Sequence, residues 1–140
     1  MLNSINRVLD KPDFGKLLLR VSFSILMLFH GWHKVHSGIG GVQKMLVEAG
    51  IPTFVGYGVY VGEVIIPILL ILGIFTRPAA LIFSFTMLTA AFLANPNDLF
   101  VLTKTGAWIA EPAAVFFFAG LAIAFLGSGR YSVVSNPRWR

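Results

Sequence analysis

Residues Phe54–Phe75 read FVGYGVYVGEVIIPILLILGIF, a continuously apolar run whose one charge is Glu63. A helix needs about 20 predominantly apolar residues to cross a bilayer. A membrane strand would instead alternate apolar with polar side chains, and this run does not. The stretch is therefore expected to be a membrane-spanning helix with a carboxylate near its middle. Three further segments share its character: Leu17–Val35 (LLLRVSFSILMLFHGWHKV), Pro78–Ala94 (PAALIFSFTMLTAAFLA) and Ala107–Gly127 (AWIAEPAAVFFFAGLAIAFLG). The expected fold is all-α: one domain, residues 1–140, forming a four-transmembrane-helix bundle.

Composition agrees. Hydrophobic residues make up 56% of the chain and charged ones 12%, against about 25% charge in soluble domains. With no cysteine, disulfides, thiolate metal sites and thiol redox chemistry on this chain are excluded. The net charge of +5 does not point to nucleic acid, because the basic residues follow the pattern of membrane topology. Arg7, Lys11, Lys16, Arg77, Arg130, Arg138 and Arg140 flank the inner ends of the spans. Lys34, Lys44 and Lys104 lie at the two other connections, and Arg20 sits inside the first span. This asymmetry places both termini in the cytoplasm. No small-x-small cleavage pattern follows the first span, so it is read as retained.

The turn GIFTRPAA is tight and makes the second and third spans a hairpin, with Thr76 as a candidate N-cap and Pro78 in the next first turn. In the first outer loop, Val42, Met45, Leu46 and Ala49 recur at helical spacing before Gly50 and Pro52. A short interfacial helix is expected there. The loop Asn95–Gly106 is similarly mixed in polarity.

Ionisable residues inside spans usually face the protein interior and find partners, because an exposed charge at mid-bilayer costs about 2.5–3.5 kcal/mol. At about 100° per residue, Arg20, Phe23, Met27, His30 and Lys34 share one face of the first span. Gly56, Tyr60, Glu63 and Pro67 share a face of the second, and Ala107, Glu111, Ala114 and Phe118 of the fourth. The expected site is an outward-opening pocket for a ligand or proton, built by His30, Lys34, Tyr60, Glu63 and Glu111. The bland alternative is a charge clamp, with Arg20 and Lys34 neutralising the two glutamates and Arg77 at the inner turn. No metal site is assigned. His30, His33 and His36 are the only candidates, and Lys34 among them opposes a cation. Gly58 and Gly62 form a GxxxG that suits close helix contact or a homo-oligomer.

Arg20, His30–Lys34 (HGWHK), Ala49–Pro52 (AGIP), Val61–Leu81 (VGEVIIPILLILGIFTRPAAL) and Gly127–Ser132 (GSGRYS) together resemble the DoxX family of small bacterial membrane proteins. The most specific piece is Glu63 followed by Gly73–Ala80. Where the family tail carries an acidic residue, Val134 stands here, so that carboxylate's role is absent. The resemblance implies a four-span protein of the bacterial inner membrane, with Arg20, Lys34, Glu63 and Arg77 at recurrent positions. The family takes its name from a relative associated with a thiosulfate:quinone oxidoreductase, and some members are linked to redox and oxidative-stress complexes. The resemblance therefore implies an accessory subunit of a redox or detoxification system, beside a redox partner protein and holding a quinone or another small ligand. The cofactor itself is left open, and enzymatic activity of the isolated chain is not expected. Two alternatives stay open: a non-catalytic adaptor recruiting a periplasmic partner, and a small transporter or metal-handling protein.

Overall fold

Pro12 opens the longest helix of the chain. Proline has no N–H to lose in a first turn and its φ is preset for helix. In the computed structural model, which describes residues 1–140, α2 runs from Pro12 to Ser37. A short helix, α1 (Leu2–Leu9), precedes it, and α3 (Gly40–Glu48) follows it. The remaining helices are α4 (Thr53–Leu72), α5 (Thr76–Ala94) and α6 (Glu111–Leu126). The chain is all-helical, and its one extended pairing is an isolated bridge between Leu102 and Trp108.

Three helices, α2, α4 and α5, are long and apolar enough to cross a membrane, rather than the four expected. The shortfall is α6, whose 16 residues reach about 24 Å against a hydrocarbon core of about 30 Å. It starts at Glu111 instead of Ala107 because the preceding backbone is committed to a hairpin. There the Thr103 N–H donates to Ala107 O (2.6 Å) and the Ile109 N–H to Val101 O (3.0 Å). The Ala107 N–H donates to the Thr103 hydroxyl (3.1 Å), and the Trp108 indole N–H to Leu99 O. Pro112 then falls in the first turn of α6, where its missing N–H costs no helical bond.

α4 is continuous but irregular: a 3₁₀ turn at Thr53–Tyr57, an α turn at Gly58–Tyr60, a π turn at Val61–Ile65, then α-helix to Leu72. Pro67 supplies the reason. It has no N–H to donate to the Glu63 carbonyl, and its ring crowds that carbonyl, so the backbone widens just ahead of it.

α4 ends at Gly73 (φ 78°), and Phe75 (φ 49°) also occupies the left-handed region, uncommon for a residue with a side chain. Its N–H donates to Trp139 O (2.9 Å), and its ring meets the Trp139 ring edge-on at 5.5 Å. Phe75 thereby takes the N-cap position expected for Thr76. Thr76 becomes the first residue of α5, with its hydroxyl buried and unpartnered. α5 and α6 approach closely through small residues: a Cβ at Gly120 would collide with Ser84, whose hydroxyl donates to Phe117 O (2.9 Å). Leu70, Phe83 and Ile123 fill the centre of the core. Large apolar side chains such as Phe29, Phe118 and Phe125 point outward. On a water-soluble protein they would be an aggregation hazard; in a bilayer they meet their own solvent.

Candidate functional site

The buried stripe of α2 is Arg20, Ser24, Met27 and Gly31, with half-buried Lys34 one turn further on. Gly31 sets how close α2 comes to α4. A Cβ there would collide with the carbonyl of Glu63, the group that Pro67 leaves without its helical donor. The two backbones meet at the π turn, and the Glu63 side chain projects beside Lys34. Lys34 Nζ lies 2.8 Å from Glu63 Oε1 and 2.6 Å from Oε2. This is the one salt bridge of the structure. Its glutamate side chain is 6% exposed and its lysine side chain 27%. Tyr60 completes the corner by donating its hydroxyl to Lys34 O (3.3 Å).

Replacing Gly31 with alanine is expected to push α2 off the π turn and destabilise the fold by about 1–3 kcal/mol, the usual range for overpacking. Gly15→Ala, in the same helix but with nothing within 4 Å of the new Cβ, is expected to be neutral or slightly stabilising. Thermal unfolding of the two variants side by side in detergent checks the contrast in sign.

The pair forms part of the wall of a chamber of about 590 Å³ between α4 and α5, under α3. Leu46 and Ile51 line it on the α3 side; Gly58 and Gly62 line it on α4; Phe85 and Thr86 face them from α5. The GxxxG thus shapes a cavity. A Cβ added at Gly58 would meet nothing within 4 Å, whereas one at Gly62 would lie 2.5 Å from the Thr86 hydroxyl. Thr86 already donates that hydroxyl to Ile82 O (2.8 Å). The charged groups of the chamber are therefore Lys34 and Glu63 alone. Two of the three ammonium protons go to Glu63; one N–H and several carboxylate lone pairs are left for a ligand.

The other expected members lie elsewhere. His30 is exposed on α2 and packs edge-on against Phe116 at 5.9 Å. Glu111 is exposed in the first turn of α6, where a carboxylate favours the helix dipole. His33 is exposed and His36 meets the Trp32 ring edge-on at 4.6 Å, so the three histidines do not converge with carboxylates into a ligand set. Arg20 meets no glutamate either. Fully buried at the opposite end of the bundle, it donates to Leu70 O (2.7 Å), Ile71 O (3.0 Å) and Tyr131 O. Arg77 acts similarly on α6, donating to Ala124 O and Phe125 O, both at 2.8 Å. Both cations sit at the negative ends of helices.

The model of the DoxX family matches residues 15–96, from the start of α2 to just past α5. A protein of Bacillus subtilis (strain 168) named "Putative oxidoreductase CatD" is 29% identical over 112 residues, covering 74% of this chain and 83% of its own length. No solved structure matches the chain.

Proposed function

This chain belongs to the DoxX family, and on that premise we propose that it is an accessory subunit of a redox or detoxification system in the bacterial inner membrane. In this reading it holds a quinone, or a ligand of like chemistry, against Lys34 and Glu63. The observation that carries the reading is a single ion pair in the wall of a mainly apolar chamber that holds no other charge. The pair is net neutral, so it offers little to a small anion. It suits a neutral, lipid-soluble molecule that accepts one hydrogen bond and donates another. The spare Lys34 N–H would meet a ring carbonyl, and Glu63 would take up or release a proton at a ring hydroxyl. A quinone would supply the two-electron chemistry, with the electrons coming from a partner protein. The chamber volume lies within the range of about 300–1,000 Å³ typical of small-molecule sites. The relative's printed name, an oxidoreductase, agrees with a redox setting.

The topology belongs to the same proposal. α6 acts as a fourth span, extended by the hairpin that precedes it. α3 lies at the outer interface, and both termini face the cytoplasm, where the basic residues gather.

Gly58→Leu tests the chamber, because Gly58 lines it and a Cβ placed there meets no other atom within 4 Å. Titration of decylubiquinone into the detergent-solubilised protein, followed by quenching of its intrinsic fluorescence, is expected to show at least tenfold weaker binding for the variant. Its thermal unfolding should be unchanged. Equal binding by wild type and variant would remove the chamber from the function. The outer hairpin supports a second reading, as an adaptor for a periplasmic partner, since Phe100 at its start is 84% exposed beside exposed Val101 and Leu102.

A further inference from the structure

α1 is an amphipathic helix that no other part of the chain covers. At about 100° per residue, Leu2, Ile5, Val8 and Leu9 fall within an arc of about 120°, and Asn3, Ser4, Asn6 and Arg7 fill the opposite side. Such segregation normally marks a face packed on a core. Here the helix buries no residue, and each of the four apolar side chains is largely exposed.

The connection to α2 fixes where this face lies. Asp10 adopts φ −76° and ψ 76°, and the Lys11 N–H donates back to Leu9 O at 2.8 Å. That is an inverse γ-turn, a sharp corner closed by its own hydrogen bond. Lys11 (φ −130°, ψ 71°), kept out of the helical region by the following proline, then leads into the first turn of α2. With two residues between the helices, α1 stays at the level where the first span leaves the bilayer.

The same end of the bundle is cationic. The tail after α6 folds across it: the Arg130 N–H donates to Asp13 Oδ1 (3.2 Å), the Val133 N–H to Leu72 O (3.0 Å), and Tyr131 O accepts from Arg20. Arg7, Lys11, Lys16, Arg130, Arg138 and Arg140 therefore gather at one face, opposed there by Asp10 and Asp13. We propose that α1 lies flat on the adjoining leaflet, its Leu2–Ile5–Val8–Leu9 face inserted among the acyl chains and its basic neighbours on anionic lipid headgroups. A short apolar face binds a surface weakly on its own, and basic side chains next to it supply the preference for anionic lipid. A soluble partner protein fits less well, because the corner at Asp10 holds the apolar face within reach of the bilayer that already surrounds α2.

The chain has no cysteine, so Ile5→Cys and Asn3→Cys each give a single labelling site, on opposite faces of a helix that packs on nothing. The full-length variants, nitroxide-labelled and reconstituted in vesicles, are compared for collision with lipid-soluble oxygen and with a water-soluble nickel chelate. In vesicles containing phosphatidylglycerol, the label at 5 is expected to favour oxygen over nickel by several-fold relative to the label at 3. In phosphatidylcholine alone, or with Arg7→Glu and Lys11→Glu added, that ratio should collapse toward one. Equal nickel access at both sites in anionic vesicles would overturn the proposal by leaving α1 in water. Shielding of the label at 5 from both reagents would overturn it in favour of a second copy of the chain or another protein. An undiminished ratio in pure phosphatidylcholine would refute the assignment to anionic lipid.

Discussion

Arg20→Met is expected to be the most damaging single substitution in the chain, lowering stability by about 3–5 kcal/mol. Methionine matches the arginine stem in length and apolar character, so the loss comes from the guanidinium. Three carbonyls depend on it: Leu70 O and Ile71 O at the end of α4, and Tyr131 O in the tail. Hydrogen bonds from a charged donor contribute about 1.5–3 kcal/mol each, offset in part by the desolvation that a buried cation suffers. Without Arg20, two carbonyls at the end of α4 lose their donor, Leu70 O in the buried core and Ile71 O at a partly buried position. The tail also loses one of its two links to α2, though the Arg130 N–H would still donate to Asp13 Oδ1 (3.2 Å), Ser132 to Gly73 O (2.9 Å) and the Val133 N–H to Leu72 O (3.0 Å). Arg20→Lys should recover only part of the loss, since a lysine cannot fork across three acceptors. Thermal unfolding in detergent measures the size of the effect, and limited proteolysis after Gly127 reports release of the tail. A variant that unfolds within a few degrees of wild type, with its tail still protected, would show that the carbonyls find other donors.

This arrangement was only partly legible in the sequence. A buried arginine in a span must have partners, and the glutamates were the obvious ones. Backbone carbonyls leave no mark on a sequence, so the cap on α4 could not be read. The face of α2 was displaced for a related reason. The conspicuous residues Phe23 and His30 drew the expected contact face about 40° away from its true centre, which is set by Ser24 and Gly31. Serine and glycine carry no hydrophobic signal, yet in a membrane they mark where helices come closest. The same bias placed His30 in the pocket when it packs on Phe116.

The fourth span fared similarly. Ala107–Ala110 is apolar enough to prolong a helix, but its backbone bonds to Val101 and Thr103 across a hairpin whose pairing no local pattern specifies. Pro112 was the legible clue to a late start. By contrast, the meeting of Lys34 and Glu63 was legible in part: both were placed on inward faces of the first two spans, where a buried carboxylate needs a cationic partner, although their depths did not single out the pair. What the sequence lacked was the chamber beside them. It depends on the π turn ahead of Pro67 and on α3 lying over Gly56, where an added Cβ would come within 3.2 Å of Leu46.

The pair also allows the clamp and the ligand site to be separated, through the second large expected effect. Lys34→Met leaves the Glu63 carboxylate buried and unpaired, and should destabilise the protein by about 3 kcal/mol or more. Glu63→Leu should do less harm, about 1–2 kcal/mol, because the partly exposed Lys34 can swing its ammonium toward water or headgroups. The double variant Lys34→Met/Glu63→Leu removes both charges and puts apolar groups of similar volume in their place, an exchange that is often neutral for a buried pair. It is expected to unfold within about 1 kcal/mol of wild type, so the two single losses cancel instead of adding. Its affinity for decylubiquinone should nevertheless fall at least tenfold, because the chamber keeps its shape but loses both polar contacts. Unfolding and titration on the same four proteins then give two cycles with different answers. If the double variant regains stability and still binds as wild type does, the pair is a clamp and the ligand reading of the chamber fails. If it regains stability and loses the ligand, Lys34 and Glu63 are held in the bilayer at a cost that packing alone does not require. The ligand is then what that cost serves.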